Sequence, residues 1–264
     1  MPDPFAARPR RVPLRDHPAP IVRQFRDRLD DALSAHDDAG RVIANAKWGV
    51  YAFFDYDGEP IYVGQTNEQL RVRVRRHLTN QRTDAVAMRI LDVFEVAELE
   101  LWPLWELQAA PSNDRDAKRR LDECEYSAYV HAIEQSRFHA ILNEKIPPMS
   151  RVATLPVSHR FPLVSDAARD ERGHPDTRIA RRSETIGRLA AVAHERGEVS
   201  AGLRRVLVIQ AVRLAYLAAV RLAEVEGRDA PPPSVISTPA LVGDVLRETG
   251  PTEEQLELEL EAGE

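Results

Sequence analysis

The chain has 264 residues, 43% of them hydrophobic and 30% charged, with a formal net charge of −6. That length supports one substantial core and a smaller second one, and the composition excludes a disordered or fibrous chain. The lone cysteine, Cys124, excludes an internal disulfide and any cysteine-cluster zinc site, and reads as a small core residue.

The negative charge is unevenly placed. Residues 248–264 hold seven glutamates and no basic residue, which leaves residues 1–247 at +1. Between Leu70 and Arg89 six arginines stand against one aspartate, a local +5 that suits a phosphate-bearing partner.

In chain order, the first 18 residues are polar and proline-rich, an expected flexible arm with no apolar signal-peptide core. Ile21 to Ala35 carries apolar residues at Ile21, Val22, Phe25, Leu29 and Leu33, a helical stripe. Trp48 to Asp55 is rich in aromatic residues and reads as a strand, Asp57-Gly58 as a hairpin turn, and Pro60 to Val63 as the partner strand. Thr66-Asn67-Glu68-Gln69 reads as a capping box with Thr66 as N-cap, opening a helix to about Leu78. Asp84 to Phe94 predicts a further helix. Glu98 to Glu106 alternates like a strand, and Pro103 predicts a sheet edge. Arg115 to Gln135 predicts a long helix, followed by "RFHAILNEKIPP".

Residues 150–177 read as a loop-rich connector, and Thr177 to Arg228 as two helices parted near Gly197. The apolar run Val206 to Ala223 contains Gln210, Arg213 and Arg221, so it reads as a buried helix and not a membrane span. A cytoplasmic location without membrane contact is expected. Arg181, Arg182, Arg204 and Arg205 read as a solvated face, with phosphate contacts as the alternative. Pro231 to Pro233 reads as a linker, followed by a short helix and an acidic tail of disordered composition. The divisions expected are an arm and helix at 1–44, an α+β unit at 45–148, a helical region at 149–230, and a linker and tail at 231–264.

Two near-copies of one tripeptide lie in the predicted hairpin, Gly49-Val50-Tyr51 and Tyr62-Val63-Gly64. Just beyond them "LRVRVRRHL" places Arg73 and His77 at i and i+4, on one helical face. Glu125 follows on the long helix, and Asn143 shortly after it. Across roughly Trp48 to Pro148 this order resembles the GIY-YIG nuclease superfamily, with GVY and YVG as conservative variants. The resemblance implies a small α+β domain, a mixed or antiparallel three-stranded sheet flanked by helices, followed here by an α-helical C-terminal region.

It also implies metal-dependent hydrolysis of phosphodiester bonds, with one magnesium or manganese ion held by Glu125. Arg73 is expected to hold the phosphate through its fork. Tyr51 is expected to act as, or to position, the base for the attacking water, tuned by His77 and Tyr62. Asn143 completes the set. Arg71, Arg75, Arg76 and Arg82 are the expected backbone contacts to DNA, with RNA left open as a substrate.

In the family about a dozen residues separate glutamate from asparagine; here the separation is 18. Glu123 and Glu134 are therefore alternatives to Glu125. Glu123 sits about 200° around the helix from Glu125, so both cannot face one site. Restriction or defence and DNA repair are the expected roles, and a catalytically silent nucleic-acid-binding protein is the alternative. A homodimer is expected if the target is palindromic.

Overall fold

A computed structural model describes residues 18–79 and 90–248 of the chain. The predicted arm, Arg82, most of the helix expected over Asp84 to Phe94, and the acidic tail beyond Glu248 lie outside the described residues.

Helix α1 (Pro20–Ser34) buries Phe25, Leu29, Ala32 and Leu33, the expected stripe. Strands β1 (Gly49–Phe54) and β2 (Pro60–Thr66) form the hairpin, turned by Gly58 at φ +70°. Helix α2 (Leu70–Thr79) buries Leu70, Val74 and Leu78. Its start differs from the capping-box expectation: Thr66 is still in β2, its hydroxyl accepts from Glu68 N at 3.1 Å, and Arg73 N bonds Gln69 O. The strand runs three residues further than its pattern suggests, so the helix opens after Gln69.

Strand β3 (Glu98–Pro103) pairs with β1, and the long helix α3 spans Arg115–Gln135. A fourth strand, β4 (His159–Pro162), arises inside the expected connector and pairs with β3. The antiparallel sheet thus has four strands in the order β2-β1-β3-β4, one more than expected. Pro103 does not mark an edge. It pairs with Gly49 of β1, and β4 reaches only to Leu101, so its missing N–H leaves no partner unbonded.

Helices α4 (Asp166–Arg172), α5 (Pro175–Arg196), α6 (Ala201–Glu226) and α7 (Thr238–Val242) complete the described chain. One apolar cluster contains Leu29, the β1 residues, Leu121 of α3, Leu189 of α5 and Val206 of α6. By length and composition α6 could cross a membrane. In the structure its polar residues face the core: Arg213 bonds Asp55 at 2.8 Å and Gln210 donates to Ile90 O at 3.0 Å.

That Asp55 contact belongs to a buried ion network beneath the hairpin turn. One oxygen of Asp55, a residue 1% exposed, accepts from Arg178, Arg182 and Arg213 at 2.8–3.0 Å. The other accepts from the backbone of Asp57 and Glu59. Glu95 accepts from Arg181 and Arg182. Arg181 and Arg182 are therefore neither a solvated face nor phosphate contacts, because carboxylates of the sheet domain already engage them.

Candidate active site

The hairpin register explains the paired tripeptides. Tyr51 pairs with Gly64, and Phe53 with Tyr62, so both tyrosines rise on the same face of the sheet, one diagonal step apart. Their ring centroids are 6.1 Å apart. A Cβ on Gly64 would stand 2.8 Å from the Tyr51 hydroxyl and 2.9 Å from the Tyr62 ring, so only glycine leaves the Tyr51 ring room to lie across β2. Gly49 has the same relation to its neighbours, with Leu70 Cδ1 of α2 at 2.8 Å from its would-be Cβ.

His77 of α2 closes over this pair. Its Nδ1 shares a hydrogen bond with the Tyr51 hydroxyl at 3.2 Å, and its ring meets Tyr62 edge-on at 4.7 Å. Phe53, which sequence reasoning did not single out, completes the cluster at 5.2 Å from His77. Burial, followed by the Arg73 charge, lowers the His77 pKa to about 4, so the ring is neutral at pH 7. Tyr51 is fully buried. Burial raises its pKa more than Arg73 lowers it, and Tyr62 is pushed well above the ordinary phenol range. Both phenols are protonated in this state.

Arg73, one turn before His77, has a buried Nε with no hydrogen-bond partner. On the facing helix Glu125 is partly buried. Burial and then Asp122, three residues back on the same face, raise its pKa to about 7, against smaller opposing effects of Arg73 and Gln65. Gln65 of β2 donates to Asp122 at 2.9 Å, while its own Oε1 is buried without a partner. Gln65 and Asp122 were not found by sequence reasoning, since only the β2–α3 packing brings them beside Glu125.

Among the described residues no three His, Cys, Asp or Glu side chains group as a metal cage. A hard octahedral cation that keeps most of its waters does not need one. The oxygen donors at Glu125, Asp122 and the unpartnered Gln65 Oε1 fit magnesium or manganese.

Asn143 is buried and acts on the backbone. Its amide accepts from Val63 N at 3.0 Å and donates to Val63 O at 2.8 Å, so one side chain closes the outer edge of β2. Leu142 N bonds Ile61 O beside it. The residue thereby fixes the middle residue of the second tripeptide.

Tyr62, Arg73, His77, Glu125 and Asn143 line one cavity of about 780 Å³, with Tyr51 immediately behind it. Glu123 and Glu134 do not line it. Arg71, Arg75 and Arg76 line a separate hollow and have protein partners. Arg71 donates to Leu33 O at 2.9 Å, Arg75 pairs with Asp30 at 2.5 Å, and Arg76 pairs with Glu68.

Residues 47–110 match the family model of the GIY-YIG catalytic domain. The match includes Tyr51, Tyr62, Arg73 and His77, and ends before Glu125 and Asn143. No curated protein and no solved structure matches the chain.

Proposed function

From the premise that residues 47–110 form a GIY-YIG catalytic domain of the nuclease family, we propose that the chain is a divalent-metal-dependent endonuclease. It hydrolyses phosphodiester bonds of DNA in restriction, defence or repair. The meeting of Tyr62, Arg73, His77, Glu125 and Asn143 at one cavity, from positions up to 81 residues apart, carries this reading.

Arg73 holds the scissile phosphate, because its unpartnered Nε and its guanidinium fork match phosphate oxygens. Glu125 would hold the divalent ion, near Gln65 Oε1. Such an ion, when bound, polarises the phosphate and offsets the charge that develops on it. Tyr62 lines the cavity as a protonated phenol and donates to a phosphate oxygen.

The neutral His77 ring has one proton. With that proton on Nδ1, donated to the Tyr51 oxygen, Nε2 is left to accept the proton of the attacking water. A phosphate in the cavity brings negative charge near the ring and raises its proton affinity. The water oxygen bonds phosphorus as its proton passes to Nε2 and the ester oxygen leaves. Buried and protonated, Tyr51 takes the positioning role, orienting the His77 ring, and does not itself deprotonate water. A palindromic target would need a second copy of the chain, since one such site cuts one strand.

Incubation of supercoiled plasmid with the full chain, in magnesium or in chelator, tests the reading. Nicking or linearisation in magnesium alone, lost in Arg73→Ala and Glu125→Ala, is the expected result. Salt-sensitive binding without cleavage, on plasmid, branched, methylated and RNA substrates alike, would leave a silent nucleic-acid-binding domain.

A further inference from the structure

The matched segment supplies only one end of the cavity. The rest comes from residues beyond it: Leu142, Ile146, Pro147 and Pro148 after α3, and Ser200 to Gly202 at the start of α6. This far wall is closed tightly. A Cβ on Gly202 would stand 1.9 Å from Glu144 O, so the first turn of α6 sits directly on that backbone. Arg205 donates to the same carbonyl at 2.8 Å, and Ser200 Oγ donates to Glu144 Oε1 at 2.7 Å. Glu248 accepts from Ile146 N at 2.7 Å.

Size and chemistry then restrict what enters. A volume of about 780 Å³ is that of a small-molecule site. It holds a nucleotide but not a duplex, whose major groove alone is about 12 Å wide. The cavity is also divided chemically. Arg73, with its unpartnered Nε, lies among the catalytic groups, whereas the far wall is largely apolar and carries Glu144 and Glu248 beside Lys145. One phosphate suits the first end. A second phosphate meets carboxylates at the other, but an uncharged base meets Leu142, Ile146 and the two prolines.

We infer that the cavity takes one unstacked nucleotide, its phosphate on Arg73 and its base against Leu142 and Ile146 to Pro148. The substrate class is then single-stranded or locally unpaired nucleic acid, and a continuous duplex is refused. This rests on the nuclease reading for the phosphate end only; the base end stands on the shape and chemistry of the wall.

The test needs no variant. Full-length protein in chelator is titrated with a fluorescent single-stranded oligonucleotide, with its duplex, and with a series of the single strand carrying one abasic site. Cleavage of the same substrates is followed in magnesium. The expected result is single-strand binding at least about tenfold tighter than duplex, weakened about tenfold by an abasic site at one position, the scale of one base contact. In magnesium that position adjoins the scissile bond. Equal or tighter binding of duplex, or an abasic series without a sensitive position, overturns the inference. Base-dependent single-strand binding with no cleavage keeps the base site and removes the nuclease reading. Ile146→Trp, which fills the far wall, is expected to abolish the single-strand preference while hydrolysis of methyl p-nitrophenyl phosphate, a diester without a base, continues. Equal loss of both activities in a variant that melts like wild type also overturns the inference.

Discussion

Two buried carboxylates, one beneath the hairpin turn and one at the tyrosine end of the sheet, meet opposite environments. Asp55 is desolvated, yet Arg213, Arg178 and Arg182 more than offset the cost, and its pKa lies below the ordinary value. Glu125 is desolvated beside Asp122, with only Arg73 and Gln65 in opposition, and its pKa rises to about 7. The first is an ion whose every demand the fold meets. The second is an ion the fold leaves short of positive charge, beside an arginine with an unused N–H. Unbalanced charge in a cavity marks a site awaiting a ligand, whereas balanced charge marks architecture.

The largest effect expected is at the unbalanced end. Arg73→Ala should lower the cleavage rate by about 10²–10³-fold, the scale of removing one donor to a developing charge. Arg73→Lys should recover little of it, because an ammonium lacks the fork. Both should keep the wild-type melting temperature, since no hydrogen bond to the fold is lost at Nε. A matched loss of stability would place Arg73 with the architecture.

The next effect is on stability at the balanced end. Asp55→Asn strands Arg178, Arg182 and Arg213 without their shared charge and should cost about 3–5 kcal/mol in urea unfolding. Because the folded pKa of Asp55 is depressed, its contribution is full above the unfolded value of 3.8 and is lost as pH falls through the folded one. The wild type should therefore lose stability below about pH 4 more steeply than the variant.

Glu125→Gln should have the opposite sign. The folded pKa of about 7 lies above the reference value of 4.5, so the carboxyl favours folding at acid pH and weakens it as pH rises toward 7. In chelator at pH 8 the variant should be more stable than wild type by about 1–3 kcal/mol, and should cleave nothing in magnesium. A destabilised Glu125→Gln would erase the contrast between the two carboxylates.

Smaller still is Gly64→Ala, whose methyl meets the Tyr51 ring and should cost about 1–3 kcal/mol while displacing Tyr51 from His77. The smallest is Arg75→Ala: its exposed pair with Asp30 should contribute under about 1 kcal/mol.

Where local chemistry decides, the sequence was legible. Helix α3 starts and stops at the predicted residues, and the Asp57-Gly58 turn sits at the predicted hairpin. The four most local site residues, Tyr51, Tyr62, Arg73 and His77, lie within one hairpin and the helix that follows. What stayed hidden depends on partners far along the chain. Strand β4 is four residues without a clear alternation, and pairing with the open side of β3 makes it a strand. The partners of Arg178, Arg182 and Arg213 are 123, 127 and 158 residues upstream, beyond any periodicity. Gln65 and Asp122 likewise acquire meaning only when β2 packs on α3.

The Asp55 network also has a consequence for the growing chain. Asp55 is synthesised 158 residues before Arg213, its farthest partner. At roughly 5–20 residues per second the hairpin turn waits on the order of 10–30 s for that arginine to be made. Until then nothing requires the carboxylate to leave water, so the turn keeps it hydrated. The last step of folding is thus the docking of α5 and α6, and with it comes the far wall of the cavity. A newly made chain acquires its tyrosines, Arg73 and Glu125 early and its enclosed pocket late, a built-in delay between having the cutting groups and having the chamber around them.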